Sequence, residues 1–420
     1  MSEQDVPEVE SVEAFRDRAG SWLDAHAPRR STDRQDVAEQ QVTGARGRDP
    51  IAAAKRFQAE LFEAGLTGLR WPRAYGGREL TLAHEIAFAA AAAPFDLPTG
   101  FVFSITFGMC GPTVLAHGTE QQKRRYIEPM LRGAQIWCQL FSEPGAGSDL
   151  AAIRTSAVRD GDHWVVNGQK VWSSGAHYSD FGLLLARTAP ELPKHRGLTM
   201  FVVDMRRPGL TIRPLRQMNG AEHFNEVFFD DLRIPADSVV GEVNDGWRTA
   251  ITTLMNERVA LGGGADSDRQ AGVENLFRLA RAAGRYDDPV VRDRLARTYI
   301  EHSIVGLIGQ RVRDAALRGV APGPEGSIGK LATARSDKGL AALAADLGGA
   351  RIAAWDDSGR DCTVWTDLLL SVPARSIAGG TDEVQKNIVG DRVLGLPREH
   401  EPGRHGPFRD RTAGPETAGQ

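Results

Sequence analysis

Only three cysteines, Cys110, Cys138 and Cys362, occur in 420 residues, far apart and without a CxxC pair. That spacing excludes a disulfide framework and a zinc knuckle. No run approaches the roughly 18 consecutive apolar residues of a membrane-spanning helix. The longest apolar block, IAFAAAAAPF, is halted by Pro94 and reads as a buried helix end. The N-terminus, MSEQDVPEVESVEAF, is acidic and lacks the apolar stretch of a secretory leader. A GxGxxG after a strand, a GxxxxGKS/T loop and an HExxH helix are all missing. Their absence argues against an NAD-linked Rossmann enzyme, a P-loop NTPase and a zinc hydrolase. Charge of one sign is scarce too: the formal net charge is −4, and basic residues usually stand beside acidic ones, as in RDRLAR. Such faces are solvated and offer no patch to nucleic acid or an anionic membrane. The expectation is a reduced, cytoplasmic protein with no nucleic-acid partner and no membrane insertion.

What is present is an ordinary globular composition, 41% apolar and 25% charged, in a chain long enough for two or three domains. The texture changes along it. Residues 8–135 read as a helical domain. VEAFRDRAGSWLDAH sets Val12, Phe15, Ala19 and Leu23 on one helix face. IAAAKRFQAELFEAG does the same and stops at Gly65, a suitable residue just past a helix end. The polar stretch Ser31 to Asp49 between them is expected to be a mobile loop.

Residues 136–245 read as a β domain. HWVVNGQKVW places β-prone runs on either side of Asn167-Gly168, a strong hairpin signal. FGLLLAR, LTMFVVDM, LTIRPL and NEVFFDDLRI follow at short intervals, as in an antiparallel barrel or sandwich. Helical spacing returns over 246–397, and residues 398–420, rich in Gly, Pro, Arg and Glu, are expected to be a disordered tail. The fold class is α+β and multi-domain.

Three stretches could carry chemistry. In CQLFSEPGAGSDL, Ser142 through Asp149 form a hydroxyl-rich loop whose backbone N–H groups suit the polar edge of a cofactor. A tight connection into the β domain would look the same. In VWSSGA, Trp172 beside Ser173 and Ser174 suits a planar heterocycle, since rings stack and hydroxyls address ring nitrogens. A core tryptophan with a turn behind it is the alternative. In SIAGGTDEV, two glycines run into an acidic helix start. Asp382 and Gln385 have capping-box spacing, and Thr381 is itself an acceptable N-cap. Free N–H groups there attract anions, while Asp382 and Glu383 repel them. Ligand loop and plain turn both stay open. His177 and His223 are further candidates, although an isolated histidine is more often structural.

EPGAGSD, VNGQKVWSSGA and GTDEV followed by LGLP occur in one order with WPRAYGG, GPTVLAHGTEQQKRRYIEPML and FNEVFFDDLRIPADSVVGEVNDGW, spanning about residues 8–397. Together they resemble the acyl-CoA dehydrogenase family. The resemblance implies an N-terminal α-helical domain, a middle antiparallel β-barrel or sandwich, and a C-terminal four-helix bundle. It also implies non-covalent FAD, an acyl-CoA thioester as substrate, a trans-2-enoyl-CoA product, and an electron-transfer flavoprotein or similar acceptor. Carried over residue by residue, it puts Leu140, Ser142 and Ser174 at the flavin and packs Trp172 against the isoalloxazine. Ser148 would meet the pantetheine arm at the cofactor's side, Arg258 the thioester end of CoA, and Thr381 and Glu383 the adenylate half of FAD. Gly379 and Gly380 would border the substrate.

The family's reaction removes an α-proton to a carboxylate and a β-hydride to the flavin. Many members keep that carboxylate directly before the Gly-Thr pair, where this chain has Gly379. The isovaleryl-CoA and long-chain types carry it on an earlier helix, before an arginine, and this chain has Glu257-Arg258 in LMNERVALG. Ala250, Leu254, Glu257 and Leu261 share one helical stripe, so Glu257 is expected at a buried or cleft surface. Desolvation there raises a carboxyl towards a useful base.

Two family segments differ. The RxxFG…Q stretch of the bundle is missing, and ADLGGAR has Ala345 where glutamine is expected. Arg281 or Arg285 are candidates to replace the intersubunit FAD contacts, and a homo-oligomer or a hetero-oligomer with a related chain is implied. The alternative functions are a flavin-dependent monooxygenase of the same fold, or a subunit that completes a partner's site.

Overall fold

The structure, a computed structural model, describes residues 10–30, 49–262, 266–320, 323–353, 360–397 and 406–411, without the side chains of 257–271, 360–363 and 411. Most of the polar stretch expected to be mobile, residues 31–48, therefore lies outside the described residues.

Helix α1 (Val12–His26) starts where the Ser11 hydroxyl accepts from Ala14 N at 3.2 Å. Its face of Phe15, Ala19 and Leu23 is fully buried, whereas Val12, at the capped end, is 37% exposed. Helix α2 (Pro50–Glu63) opens on the Asp49 cap with proline in its first turn. With α3 (Leu82–Ala92) these helices bury Phe57, Leu61, Ala87 and Phe95. Next come α4 (Gly111–His117) and α5 (Glu120–Leu131), the latter begun by a capping box between Thr119 and Gln122.

Eight strands follow: β1 (Trp137–Leu140), β2 (Ser156–Asp160), β3 (His163–Lys170), β4 (Phe181–Arg187), β5 (Leu198–Asp204), β6 (Leu210–Leu215), β7 (Phe224–Pro235) and β8 (Val239–Val240). Their order in one sheet is β6-β7-β3-β2-β4-β5-β8, with β1 paired to β4. Most pairs are antiparallel; β1 and β2 join β4 in parallel. Alternate residues of β4 serve two cores. Leu183 and Leu185 meet Ile127, Met130 and Leu131 of α5, while Leu184 and Ala186 enter a second cluster with Val166, Phe201, Val227 and Phe229. Strands from both halves of the sheet meet in that second cluster, so the sheet curls around it.

Asn167-Gly168 is not a hairpin turn. Strand β3 runs through it, and the turn lies at Gly161-Asp162, between paired Asp160 and His163. The register against β7 shifts between Val166 and Gly168, a β-bulge. Gly168 has φ +145°, and a Cβ there would stand 2.6 Å from Thr155 Oγ1. The glycine that signals a turn serves a bulge instead, because Asn167 is tied across to Asp231 by bonds of 2.9 Å in both directions.

The C-terminal layer comprises α6 (Gly246–Gly262), α7 (Asp266–Ala282), α8 (Pro289–Leu317), α9 (Gly326–Gly348), α10 (Ala350–Ala353), α11 (Arg360–Ser371) and α12 (Asp382–Ile388). Val273, Leu276, Leu295, Leu340, Leu343 and Trp365 form the shared core of α7, α8, α9 and α11. The N-terminal and sheet layers are latched at Asp180, which accepts from Lys55 Nζ at 2.9 Å, from Ile136 N at 3.0 Å and from Arg206. Residues 406–411 depart from the disordered tail expected of them. They form a short turn with Phe408 buried, because this aromatic is seated on the sheet domain over Arg187, a contact that the composition of its own stretch does not reveal.

Candidate active site

Strands β1 and β3 end beside one another, and the loops leaving them are joined by Val171 N donating to Ser142 O at 2.9 Å. This brings Ser142 next to the Trp172–Ser174 segment. Leu140, the last residue of β1, is fully buried in the inner core. Glu143 and Ala146 exchange two backbone bonds of 3.0 Å, folding Pro144-Gly145 into a tight turn. Gly145 and Gly147 would have nothing within 4 Å of a Cβ, and Ser148 is exposed.

The loop is anchored by a buried ion pair. Lys170, 0% exposed, donates to Glu143 Oε1 and to Phe141 O, both at 2.8 Å. The same carboxylate accepts from Arg154 N at 2.7 Å and Thr155 N at 2.9 Å. Burial alone would raise the Glu143 carboxyl, but the Lys170 charge and these bonds outweigh it and hold it below the usual range. Burial pushes Lys170 down to about 8 against the pull of Glu143.

Trp172 has φ +60°, a costly conformation for a bulky residue. It is held by Asn225, which is fully buried between Ser173 and His177. The indole is 59% exposed, braced only edge-on by Phe224 at 5.7 Å. His177 sits edge-on to Tyr178, and His223 lies 6.0 Å from Phe101.

The Gly379–Gly380 turn has φ +66° and +90°, which glycine alone adopts readily. Thr381, not Asp382, is the N-cap of α12: its hydroxyl accepts from Val384 N at 3.2 Å. Gln385 closes no capping box, and instead donates back to Gly379 O at 2.7 Å. Asp382 turns away to Lys330 at 3.1 Å and Lys338 at 3.4 Å, while Glu383 is exposed. Among the described residues no hydrogen bond joins this turn to the Ser142 or Trp172 loops. Glu257 and Arg258 lie on α6, whose Ala250 and Leu254 pack into the core shared with the sheet; their side chains are outside the described residues. Arg281 lies over the Tyr286 ring at 4.3 Å, and Arg285 pairs with Asp288 at 3.7 Å.

Several of these features fit a planar, polar-edged cofactor. An exposed indole in a strained conformation offers a stacking face. Ser173 Oγ is buried without a partner beside it, and Gln385 Oε1 is buried without a partner at the glycine turn. The open glycines of the Ser142–Asp149 loop leave room for backbone N–H groups to meet a ligand. The sequence assigns no role to Lys170 or Asn225, and Glu143 and Gln385, which stand in its motifs, are put to other uses than those motifs suggest: Glu143 anchors its loop and Gln385 bonds back to the glycine turn. A lysine flanked by β-prone residues was the one available signal, and it reads as an exposed strand position.

A curled sheet between helical layers, with these loops at its end, is an architecture with room for a planar cofactor at the loop end. Three family models match in order: the acyl-CoA dehydrogenase N-terminal domain over residues 10–134, the middle domain over 138–232 and the C-terminal domain over 244–394. The chain is 40% identical over 397 residues to acyl-CoA dehydrogenase IpdE1 of Mycobacterium tuberculosis, covering 93% of this chain and 99% of that one. It also resembles the solved Tcur3481-Tcur3483 steroid ACAD, with TM-score 0.76 and 28% identity over 94% of this chain and 100% of that one. The ChsE4-ChsE5 complex of Mycobacterium tuberculosis matches with TM-score 0.74 and 28% identity over 95% of this chain and 100% of that one. The chain belongs to the acyl-CoA dehydrogenase family. It is an oxidoreductase acting on acyl-CoA, and FAD is its cofactor. No helix among the described residues is long and apolar enough to cross a membrane.

Proposed function

We propose that this chain dehydrogenates an acyl-CoA thioester between Cα and Cβ, with Glu257 as the base. The observation that carries the reading is the junction of the Ser142 and Trp172–Ser174 loops through Ser142 O and Val171 N, with an exposed indole and an orphaned Ser173 hydroxyl beside it. Leu140, Ser142 and Ser174 would hold the flavin edge, Trp172 its ring face, and Thr381 and Glu383 its adenylate half. FAD bound there would supply two-electron acceptance for the β-hydride. Glu257 takes the α-proton. Its position three residues past Leu254, on the apolar stripe that the sequence sets out along α6, supports that role, since a carboxylate that loses hydration becomes a stronger base. Gly379, without a side chain, leaves room for substrate beside Gly380. Ser148 and Arg258 would hold the CoA arm.

Of the similar solved structures, one is a steroid ACAD of two named components, Tcur3481-Tcur3483, and one is the ChsE4-ChsE5 complex. We infer from that likeness a hetero-oligomer with a related chain and a bulky steroid-like acyl group; the acceptor proposed for the electrons is an electron-transfer flavoprotein, as the family resemblance implies. Anaerobic titration of the yellow protein with steroid and straight-chain acyl-CoAs tests the reading. Bleaching of the flavin by an acyl-CoA supports it; a flavin that no acyl-CoA bleaches, but that hydroxylates substrate when reduced under oxygen, would replace it with the monooxygenase alternative.

A further inference from the structure

The segment 406–411 lies on the sheet domain rather than on the bundle it follows. Phe408 N donates to Leu192 O at 2.9 Å, and Arg409 N to Pro190 O at 3.0 Å. The Phe408 ring, 6% exposed, sits over Arg187 with 3.8 Å between guanidinium carbon and ring centroid. Arg187 closes β4 and is itself 4% exposed.

Arg187 is a fastener between two loops. Its Nη2 donates to Ala151 O at 2.6 Å and Ile153 O at 3.3 Å, and its Nη1 to Lys194 O at 3.0 Å and Arg196 O at 3.1 Å. A second tie joins the same loops, from Lys194 Nζ to the two Asp149 oxygens at 3.1 and 3.0 Å. The Gly145–Asp149 turn is open on its outer side, since neither glycine has a neighbour within 4 Å of a Cβ position. Its shape is set where Ala146 enters the core and at its ends: at Glu143 by Lys170, and at Ala151–Ile153 by Arg187.

The electrostatics give the aromatic ring a reason to be there. Lys170 and Arg187 are both buried, and both are attracted to the Glu143 carboxylate. Arg187 Nε has no hydrogen-bond partner, and burial pushes the guanidinium down to about 10. The negative face of an aromatic ring stabilises such a cation while keeping water out. Phe408 thus seals the arginine that fixes the loop, and it belongs to none of the apolar cores described above.

We propose that residues 406–411 form a clasp in which Phe408, seated on Arg187, is a positioning residue that holds the Ser148–Asp149 turn ready for the CoA arm of the substrate. The proposal rests on the assignment of Ser148 to the pantetheine given above.

The test uses the full-length, flavin-loaded protein with Phe408→Ala, Phe408→Leu and Phe408→Tyr. Calorimetric titration with coenzyme A and hydrogen exchange of residues 144–153 and 188–197 are the two readouts. Phe408→Ala weakens CoA binding about five- to tenfold, with exchange faster in those two loops and unchanged in β3 and β5. Flavin per chain stays the same, and KM rises while kcat moves little. Phe408→Leu, which keeps the apolar plug without the ring face, is weakened nearly as much, and Phe408→Tyr restores binding. If Phe408→Ala does not fold, the Leu and Tyr pair carries the comparison. Wild-type CoA affinity and unchanged loop exchange in the variants overturn the clasp alone. A wild-type protein that binds flavin but no CoA overturns the site assignment, and the clasp's role with it.

Discussion

Asn225 and Ser173 face one another across the end of β7 and hold each other three times. Ser173 N donates to Asn225 O at 3.1 Å, Asn225 N to Ser173 O at 3.1 Å, and Asn225 Nδ2 to the same Ser173 O at 2.9 Å. The pair locks the residue before Ser173, Trp172, in its left-handed conformation. Asn225→Ala removes one of these bonds inside the protein and should cost about 1–3 kcal/mol of local stability. The expected result is a chain that still folds but loses FAD on gel filtration, read as a fall in the flavin-to-protein absorbance ratio.

Glu257→Gln keeps the size and hydrogen-bonding shape of the side chain while removing its basicity. FAD content should match wild type, and bleaching by the acyl-CoA that reduces the wild-type flavin should slow by at least about 10²-fold. A variant that bleaches at the wild-type rate would move the base elsewhere.

Gly168→Ala is the stability prediction. Its backbone, φ +145°, disfavours any side chain, and the new Cβ would meet Thr155 at 2.6–2.9 Å. A loss of about 2–3 kcal/mol is expected, seen as an earlier urea midpoint. Gly161→Asn, at φ +58° with open space around it, is expected to change that midpoint little.

The Glu143–Lys170 pair makes stability pH-dependent on the acid side. The folded Glu143 carboxyl sits below its ordinary 4.5, so the unfolded chain binds the proton more readily. Stability from this group is complete above about pH 4.5 and drains away as pH falls through the lower folded value. Compared with Glu143→Gln/Lys170→Met, in which neither group titrates, the wild type should lose relative stability below pH 4.5 and hold a constant difference from there to pH 7. Thermal midpoints across that range supply the check. A difference that stays flat to pH 3 contradicts it.

How far the sequence reaches depends on whether a feature is local. FGLLLAR announces β4 because a strand with both faces covered has no polar alternation to disguise it. Phe15, Ala19 and Leu23 are legible by period, and the two loops joined through Ser142 and Val171 each stand out as a motif. The Asn167-Gly168 pair misleads because a bulge and a turn both ask for a backbone that glycine tolerates. Choosing between them needs Asp231, 64 residues away. At the glycine turn the sequence names both Thr381 and Asp382, and the choice between them falls to Lys330 and Lys338, which draw Asp382 aside. The same limit hides the anchoring of the Ser142 loop, since nothing along the chain says that Lys170 faces inward. Phe408 is the extreme case: in a stretch composed like a tail, its seat on Arg187 is 221 residues back in the sequence.

Strand β4 has hydrogen-bonded neighbours on both edges, β5 along its whole length and β1 then β2 on the other side. From Gly182 to Arg187 every residue is buried. Its amide protons can reach solvent only when the whole sheet opens, so β4 should mark the slowest-exchanging layer of the molecule. Arg187 is the last residue of that strand. The loops it fastens therefore hang from the stiffest part of the protein, and their freedom to admit and release a substrate is confined to the few residues between anchor and tip.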